Sequence, residues 1–403
     1  MAPIPPRLRR QARVWLIPAI YILIAIVLGR LLPMLDRAFP LPLSLFSPGT
    51  AATLLSAISS GMIVFTGFVF SMAIVMVQFG SSAYSPRLAT IFLHDAVVEH
   101  SLGVFSASFV FALIAQVEID PTTASARVPD ITVLTAILLV LASLSMFLAL
   151  IQRLTVLQVT NVLHRVGRQG RQVIEELYPR ALGQGNDQAV ELPELDKMPV
   201  TQCLYHRGGP AAVLELNIPR LVSLAQRAGG VIEVEYPVGD TVPDGAVLLR
   251  LRGAHQKLAD ASLRGCVILG YQRTIEQDPK YALRLIVDIA IRALSPAVND
   301  PTTAVQALDQ LDDLLRRVGQ RRLGPGLARD RRGKLRLVFP VPDWEDFLAL
   351  AVDEIRYYGA ASLQVMRRLL ALLIDLEETL PAVRRPAVQD LLRRVDKSIQ
   401  RSF

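Results

Sequence analysis

Two cysteines in 403 residues are too few for a disulfide framework. Cys203 and Cys266 stand far apart, outside any Cys-x-x-Cys or Cys/His metal spacing, and read as ordinary buried thiols of a reducing compartment. Histidine is as sparse: His94, His100, His164, His206 and His255 are scattered, so a metal centre or hydrolase would need partners from distant positions. The chain also lacks a P-loop, a Gly-x-Gly-x-x-Gly turn, a Gly-x-Ser-x-Gly elbow and a His-Glu-x-x-His pair, which removes the common nucleotide, hydrolase and zinc-peptidase signatures. No catalytic residue, metal ligand or cofactor is assigned. Nor does any basic–aromatic motif accompany the net charge of +7, so no nucleic-acid partner is expected and an anionic lipid surface suits the arginines better.

Charge is missing altogether from residues 38–86, and the stretch 54–79 is a natural spanning helix. Three further apolar segments share the first 150 or so residues: 15–35, where Arg30 can snorkel to the headgroups; 102–117, short enough to be re-entrant or tilted; and 131–152, closed by Arg153. Residues 29–33 offer no small-residue cleavage site, so the first segment reads as a span rather than a signal peptide. Arg7, Arg9, Arg10 and Arg13 precede the first span with no acid among them, and Arg153, Arg165, Arg168 and Arg171 follow the fourth. Both termini are therefore expected in the cytoplasm, and the loop carrying Glu118, Asp120, Arg127 and Asp130 outside.

Between the second and third spans, residues 88–100 have the pattern of a short amphipathic helix on the inner leaflet. The run before it supplies Gln78, Ser85, Pro86 and Arg87 as candidate elements coupling the membrane part to the rest. Ser56, Ser60, Gly67 and Ser71 fall near one side of the second span, as helix packing requires; a pore lining is the sharper alternative.

The soluble part begins with a connector helix from about Thr155 to Tyr178 and a loop, together 154–199. A small β-rich module follows over 200–275, with strands around Leu204 and Leu214 joined by Gly208-Gly209-Pro210 and a helix capped by Asn217 and ended by Gly229-Gly230. Residues 238–248 resemble half of a lipoyl-type β-sandwich hybrid, without a lysine at the turn for a carrier role. Residues 276–403 read as helical, interrupted by a flexible basic loop at about 319–336 in which Asp330 is the lone acid. The expected fold is thus a four-helix membrane domain (1–153) followed by a cytosolic α+β domain with a helical C-terminus.

The densest polar signal is Arg273-Thr274 with Gln277-Asp278, then Arg292 and Asn299-Asp300-Pro301-Thr302-Thr303. Asp300 as cap and Pro301 in the first turn are what a helix start requires. Backbone donors at such a start also attract anions, so Arg273, Arg292, Asn299, Asp300, Thr302 and Thr303 form the candidate ligand site, converging on a small anionic ligand or lipid. Asp309 and Asp313, one turn apart, suit a cation weakly and a solvated face better.

The run 292–304, Arg-Ala-Leu-Ser-Pro-Ala-Val-Asn-Asp-Pro-Thr-Thr-Ala, resembles the signature of the bacterial membrane proteins grouped as domain of unknown function 2254. Arg273-Thr274 with Gln277-Asp278, and the segment from Phe70 through Ser85-Pro86-Arg87 to Phe105, resemble the same family, and the likeness covers nearly the whole chain. Where the resemblance leads one to expect a glycine, this chain has Ala297-Val298, which puts a glycine-dependent turn in question. The resemblance implies an inner-membrane protein with an N-terminal membrane part and a cytosolic domain, and no particular activity. Together these readings lead to an oligomeric sensor or regulator whose cytosolic domain binds a small ligand, lipid or partner. A channel or transporter gated by that domain is the alternative, and a membrane-bound enzyme the third.

Overall fold

The computed structural model describes residues 6–38, 45–83, 96–117, 130–154, 159–182, 195–324 and 326–402. The chain divides into two compact units, Met1–Gln158 and Val159–Phe403.

Unit one contains α1 (Pro6–Ala38), α2 (Pro48–Ala83), α3 (Ala96–Val117) and α4 (Asp130–Leu154). Each has a stretch long and apolar enough to cross a membrane: Leu16–Asp36, Pro48–Met72, Val97–Val117 and Asp130–Gln152. The third segment is longer than its apolar run suggests. It starts at Ala96 and its 22 residues rise about 33 Å, enough for a hydrocarbon core of about 30 Å. Residues 96–100, expected at the end of an interfacial amphipathic helix, are therefore the first turn of a span; residues 88–95 of that expectation lie outside the described residues.

The central helix is α3, packed against α1, α2 and α4. Small side chains set that packing: Ala107, Ala112 and Ala115 share a core with Ala25, Ala51, Val133 and Ala136. A Cβ on Gly103 would meet the Tyr21 ring at 2.8 Å, so only glycine permits this approach of α1 to α3. Several polar groups inside the unit are paired, as an apolar solvent favours, although the buried Ser101 hydroxyl is not. The Ser108 and Ser143 hydroxyls lie 3.0 Å apart, each also within hydrogen-bond distance of a backbone carbonyl of its own helix. Asp36, buried at the end of α1, accepts from the Thr132 amide and hydroxyl at 3.0 and 3.1 Å, while Asp130 accepts from the Leu45 and Phe46 amides. Ser60, Gly67 and Ser71, expected to seat a neighbouring helix, are instead exposed on the outside of the unit, and a Cβ at Gly67 would meet nothing.

Unit two opens with α5 (Val159–Leu177), then β1 (Val200–Tyr205), β2 (Ala211–Leu216), α6 (Ile218–Ala228), β3 (Val231–Val234), β4 (Thr241–Val242), β5 (Val247–Arg252), α7 (Asp260–Arg264) and β6 (Val267–Gly270). There follow α8 (Pro279–Ala293), α9 (Pro301–Gly319), β7 (Leu327–Arg329), β8 (Leu335–Val338), α10 (Trp344–Tyr358), α11 (Leu363–Thr379) and α12 (Arg385–Ser402). The strands form a five-stranded sheet, β1-β5-β3-β8-β7, and a three-stranded sheet, β4-β2-β6, enclosing one core with Leu204, Leu216, Leu221, Ile232, Leu249, Cys266 and Leu337. Cys266 is fully buried and Cys203 only half-buried.

Two local readings are corrected here. β1 and β2 are consecutive but belong to different sheets, so the strands joined by Gly208-Gly209-Pro210 do not pair as a hairpin. The basic stretch 319–336 is largely not a flexible loop: β7 and β8 pair antiparallel within it, and β8 joins β3 in parallel. Asp330, the lone acid there, explains why. Its carboxylate receives the Arg336 guanidinium at 2.8 Å and the amides of Arg332 and Lys334, which closes the hairpin, while Arg336 also reaches the Gly230 carbonyl beside β3.

The helices form a layer whose directions follow from paired side chains. α5 and α9 run parallel, since Thr160 meets Gln306, Arg171 meets Asp313 and Glu175 meets Arg317. α9 and α11 run parallel through Arg368 to Asp309 and Asp312, and Arg316 to Asp375. α8 and α10 run parallel to each other through Lys280–Asp346 and Arg284–Glu354. α12 runs with α10: the Trp344 indole donates to the Arg384 carbonyl at their starts and the Arg356 guanidinium to the Ser398 hydroxyl near their ends.

Candidate functional site

The polar motif is divided between the two ends of α8. At its start, Asp278 caps the helix by accepting from the Tyr281 amide at 3.0 Å, and Pro279 sets the first turn. The same carboxylate receives Nε and Nη2 of Arg273 at 2.9 and 2.7 Å, and the guanidinium lies 5.2 Å from the Tyr281 ring centre. Gly239, with φ 99°, sits so close that a Cβ there would be 2.4 Å from the Asp278 oxygen. Gln277 extends the clasp: its side-chain oxygen accepts from the Leu216 amide of β2. Arg273, Gln277 and Asp278 thereby fasten the sheets to the helical layer.

Burial raises the Asp278 carboxyl above the usual range, with Arg273 pulling it back. Burial, reinforced by the Asp278 charge, also pushes the Tyr178 phenol from 10.0 up to about 12. The folded state then holds a proton that the unfolded chain releases, so stability falls as pH rises through that window. In ultraviolet phenolate titrations, Tyr178→Phe is expected to remove a phase near the alkaline end and to flatten the loss of stability there. A full late phase retained by the variant would contradict this.

At the far end of α8, the Asp300 amide donates to the Ala293 carbonyl at 2.8 Å. Asp300 caps α9, accepting from the Thr303 amide at 3.1 Å and hydroxyl at 2.6 Å, bonds that hold its carboxyl below the usual range. Among the described non-glycine residues only Asn299 has a positive φ, 47°, so the turn is made on an asparagine without any glycine at Ala297-Val298. Arg292, Asn299 and Thr302 are exposed around it.

Arg273 does not converge on this turn. The 15 residues of α8 separate the two places by a rise of about 21 Å, and Arg273 is engaged by Asp278. Arg292, Asn299, Asp300, Thr302 and Thr303 are brought together; Arg273 is not with them. Gln78 is exposed near the end of α2, and Ser85, Pro86 and Arg87 lie outside the described residues. Asp309 and Asp313 do not form an open cation pair, since Arg368 takes the first and Arg171 and Arg317 take the second. Among the described residues no group of three or more metal-ligating side chains occurs.

Sequence reading missed two features. One is the run of carboxylates and guanidiniums linking α9 to α5 and α11, which requires knowing which helices are neighbours. The other is an open recess of about 400 Å³ walled by Leu323, Phe339, Pro340, Val341 and Pro342, with Asp343 and Arg384 at its lining. Arg384 lies 5.8 Å from the Trp344 ring centre, and burial lowers its affinity for its proton.

The family model described as predicted membrane protein, domain of unknown function 2254, matches residues 11–375. The chain belongs to that family. Both parts of the polar motif and all four spans fall inside the matched range. Uncharacterised proteins of Mycobacterium bovis and Mycobacterium tuberculosis are 28% identical to it over 406 residues, covering 98% of this chain and 77% of theirs. No solved structure matches.

Proposed function

We propose that this membrane protein is a sensor or regulator whose C-terminal unit acts on the spans through α5. The observation that carries the reading is that α5, which follows the fourth span after only four residues, is built into the core of unit two. Val162, Leu163, Val166, Val173 and Ile174 are buried, and at Gly170 a Cβ would touch Ala282 of α8 and Leu314 of α9. A helix held this tightly by α8 and α9 follows any rearrangement of that layer. Arginines before the first span and after the fourth support a cytoplasmic location for both termini and for unit two, at the inner membrane of a bacterium. The exposed small-residue side of α2 supports self-association into an oligomer. Arg292, Asn299 and Thr302 are the exposed groups that a small anionic ligand or lipid headgroup would meet.

Hydrogen exchange of the full-length protein in lipid nanodiscs tests the coupling. Arg171→Ala removes the 2.8 Å pair with Asp313. Exchange is expected to rise several-fold in α5 and also in the last turns of α4, residues 145–154. Faster exchange in α5 with 145–154 unchanged would contradict transmission.

A further inference from the structure

One end of the helical layer has a composition unlike the rest of unit two. There α8, α10 and α12 finish and α5, α9 and α11 begin, as their paired side chains require. Four large apolar or aromatic residues are exposed at this end: Val298 at 46%, Tyr357 at 74%, Tyr358 at 54% and Leu363 at 38%. Isolated exposed residues of this kind are ordinary, but a group on one surface is not. The turns bearing them adjoin, because a Cβ on Gly359 would lie 3.5 Å from Leu294. The Tyr357 and Tyr358 rings meet edge to face, 5.4 Å between centres. Exposed Arg292 and Lys397 add positive charge, whereas the Asp300 carboxylate is turned to capping its own helix. Tyrosine beside arginine and lysine is the composition found where proteins meet lipid headgroups. This end is also where the chain enters unit two, four residues after the fourth span.

We propose that this end of unit two is a lipid-binding face, placing Tyr357, Tyr358 and Val298 among the headgroups of the membrane and drawing anionic lipid with Arg292 and Lys397. The assignment does not depend on the coupling reading, since a face that binds headgroups need transmit nothing. The surface is made by helix ends that regular packing leaves uncovered, and its aromatic rings carry polar tips suited to a wet interface.

The test uses the full-length protein in phosphatidylcholine nanodiscs with and without phosphatidylglycerol. In a Cys203→Ser background, with Cys266 fully buried, an environment-sensitive fluorophore is attached at Val298→Cys or, separately, at Tyr357→Cys. Both positions are exposed, so either label leaves the core intact. A headgroup nitroxide lipid is expected to quench both labels several-fold more than one at Tyr271→Cys, a residue 93% exposed beyond the other end of α8. Phosphatidylglycerol is expected to strengthen the quenching. Quenching no stronger than at the Tyr271 control would overturn the proposal. So would labels shielded from water yet unquenched by lipid, which would assign the face to a second copy of the chain.

Discussion

Trp344→Ala is expected to cost unit two about 3–5 kcal/mol, the range for removing a fully buried large aromatic. Trp344 is completely buried in the first turn of α10, where Asp343 and Asp346 form a reciprocal cap. Its ring fills the gap left by Gly319 at the end of α9: a Cβ there would lie 3.2 Å from the ring and 2.7 Å from Leu380. Its Nε1 donates to the Arg384 carbonyl at 3.2 Å, joining α10 to the lead-in of α12. Alanine empties this junction of three helices and strips a carbonyl of its donor; phenylalanine strips the same donor but keeps most of the volume, so it should lose much less. Denaturant unfolding of the full-length protein in detergent measures the difference. A loss below about 1 kcal/mol would mean that the junction is not packed as described.

Gly170→Leu should be nearly as damaging for the opposite reason. The space above Gly170 is already closed, with the Cβ position 3.0 Å from Ala282 and 3.1 Å from Leu314. Three further carbons must push α5 away from α8 and α9, an overpacking cost of about 1–3 kcal/mol before the opened apolar seam is counted. Gly170→Ala separates space from helix propensity. Its tight new contacts oppose a gain of about 1 kcal/mol from replacing glycine within a helix, so a small net change is expected. Thermal unfolding should rank leucine several degrees below wild type and alanine close to it. Equal melting of all three would contradict the close seam.

Local signals were legible in the sequence and distant pairings were not. The apolar runs gave the four spans, and Asn217 and Asp300 marked helix starts because a cap acts within three residues of itself. The start of α3 was misread because Glu99 and His100 look like interface residues. In the fold Glu99 is buried, and His100 pairs with the Tyr21 hydroxyl at 3.2 Å. The β3–β8 pairing joins Ile232 to Leu337 across a hundred residues, and no periodicity within 319–336 announces it. For the candidate site, the chemistry of Asp300 and Thr303 was local and readable. The supposed convergence of Arg273 failed because a helix of 15 residues intervenes and Asp278 holds the guanidinium.

The central claim is that α5 carries changes in unit two to the fourth span, and loosening the connection tests it most directly. Gly170→Leu would be prepared with the natural connection and with a flexible glycine–serine insert within residues 155–158. Hydrogen exchange of the last turns of α4 is then compared in nanodiscs. The account predicts that the substitution speeds exchange at 145–154 with the natural connection and leaves it unchanged with the insert. The same response in both proteins, or none in either, would contradict it.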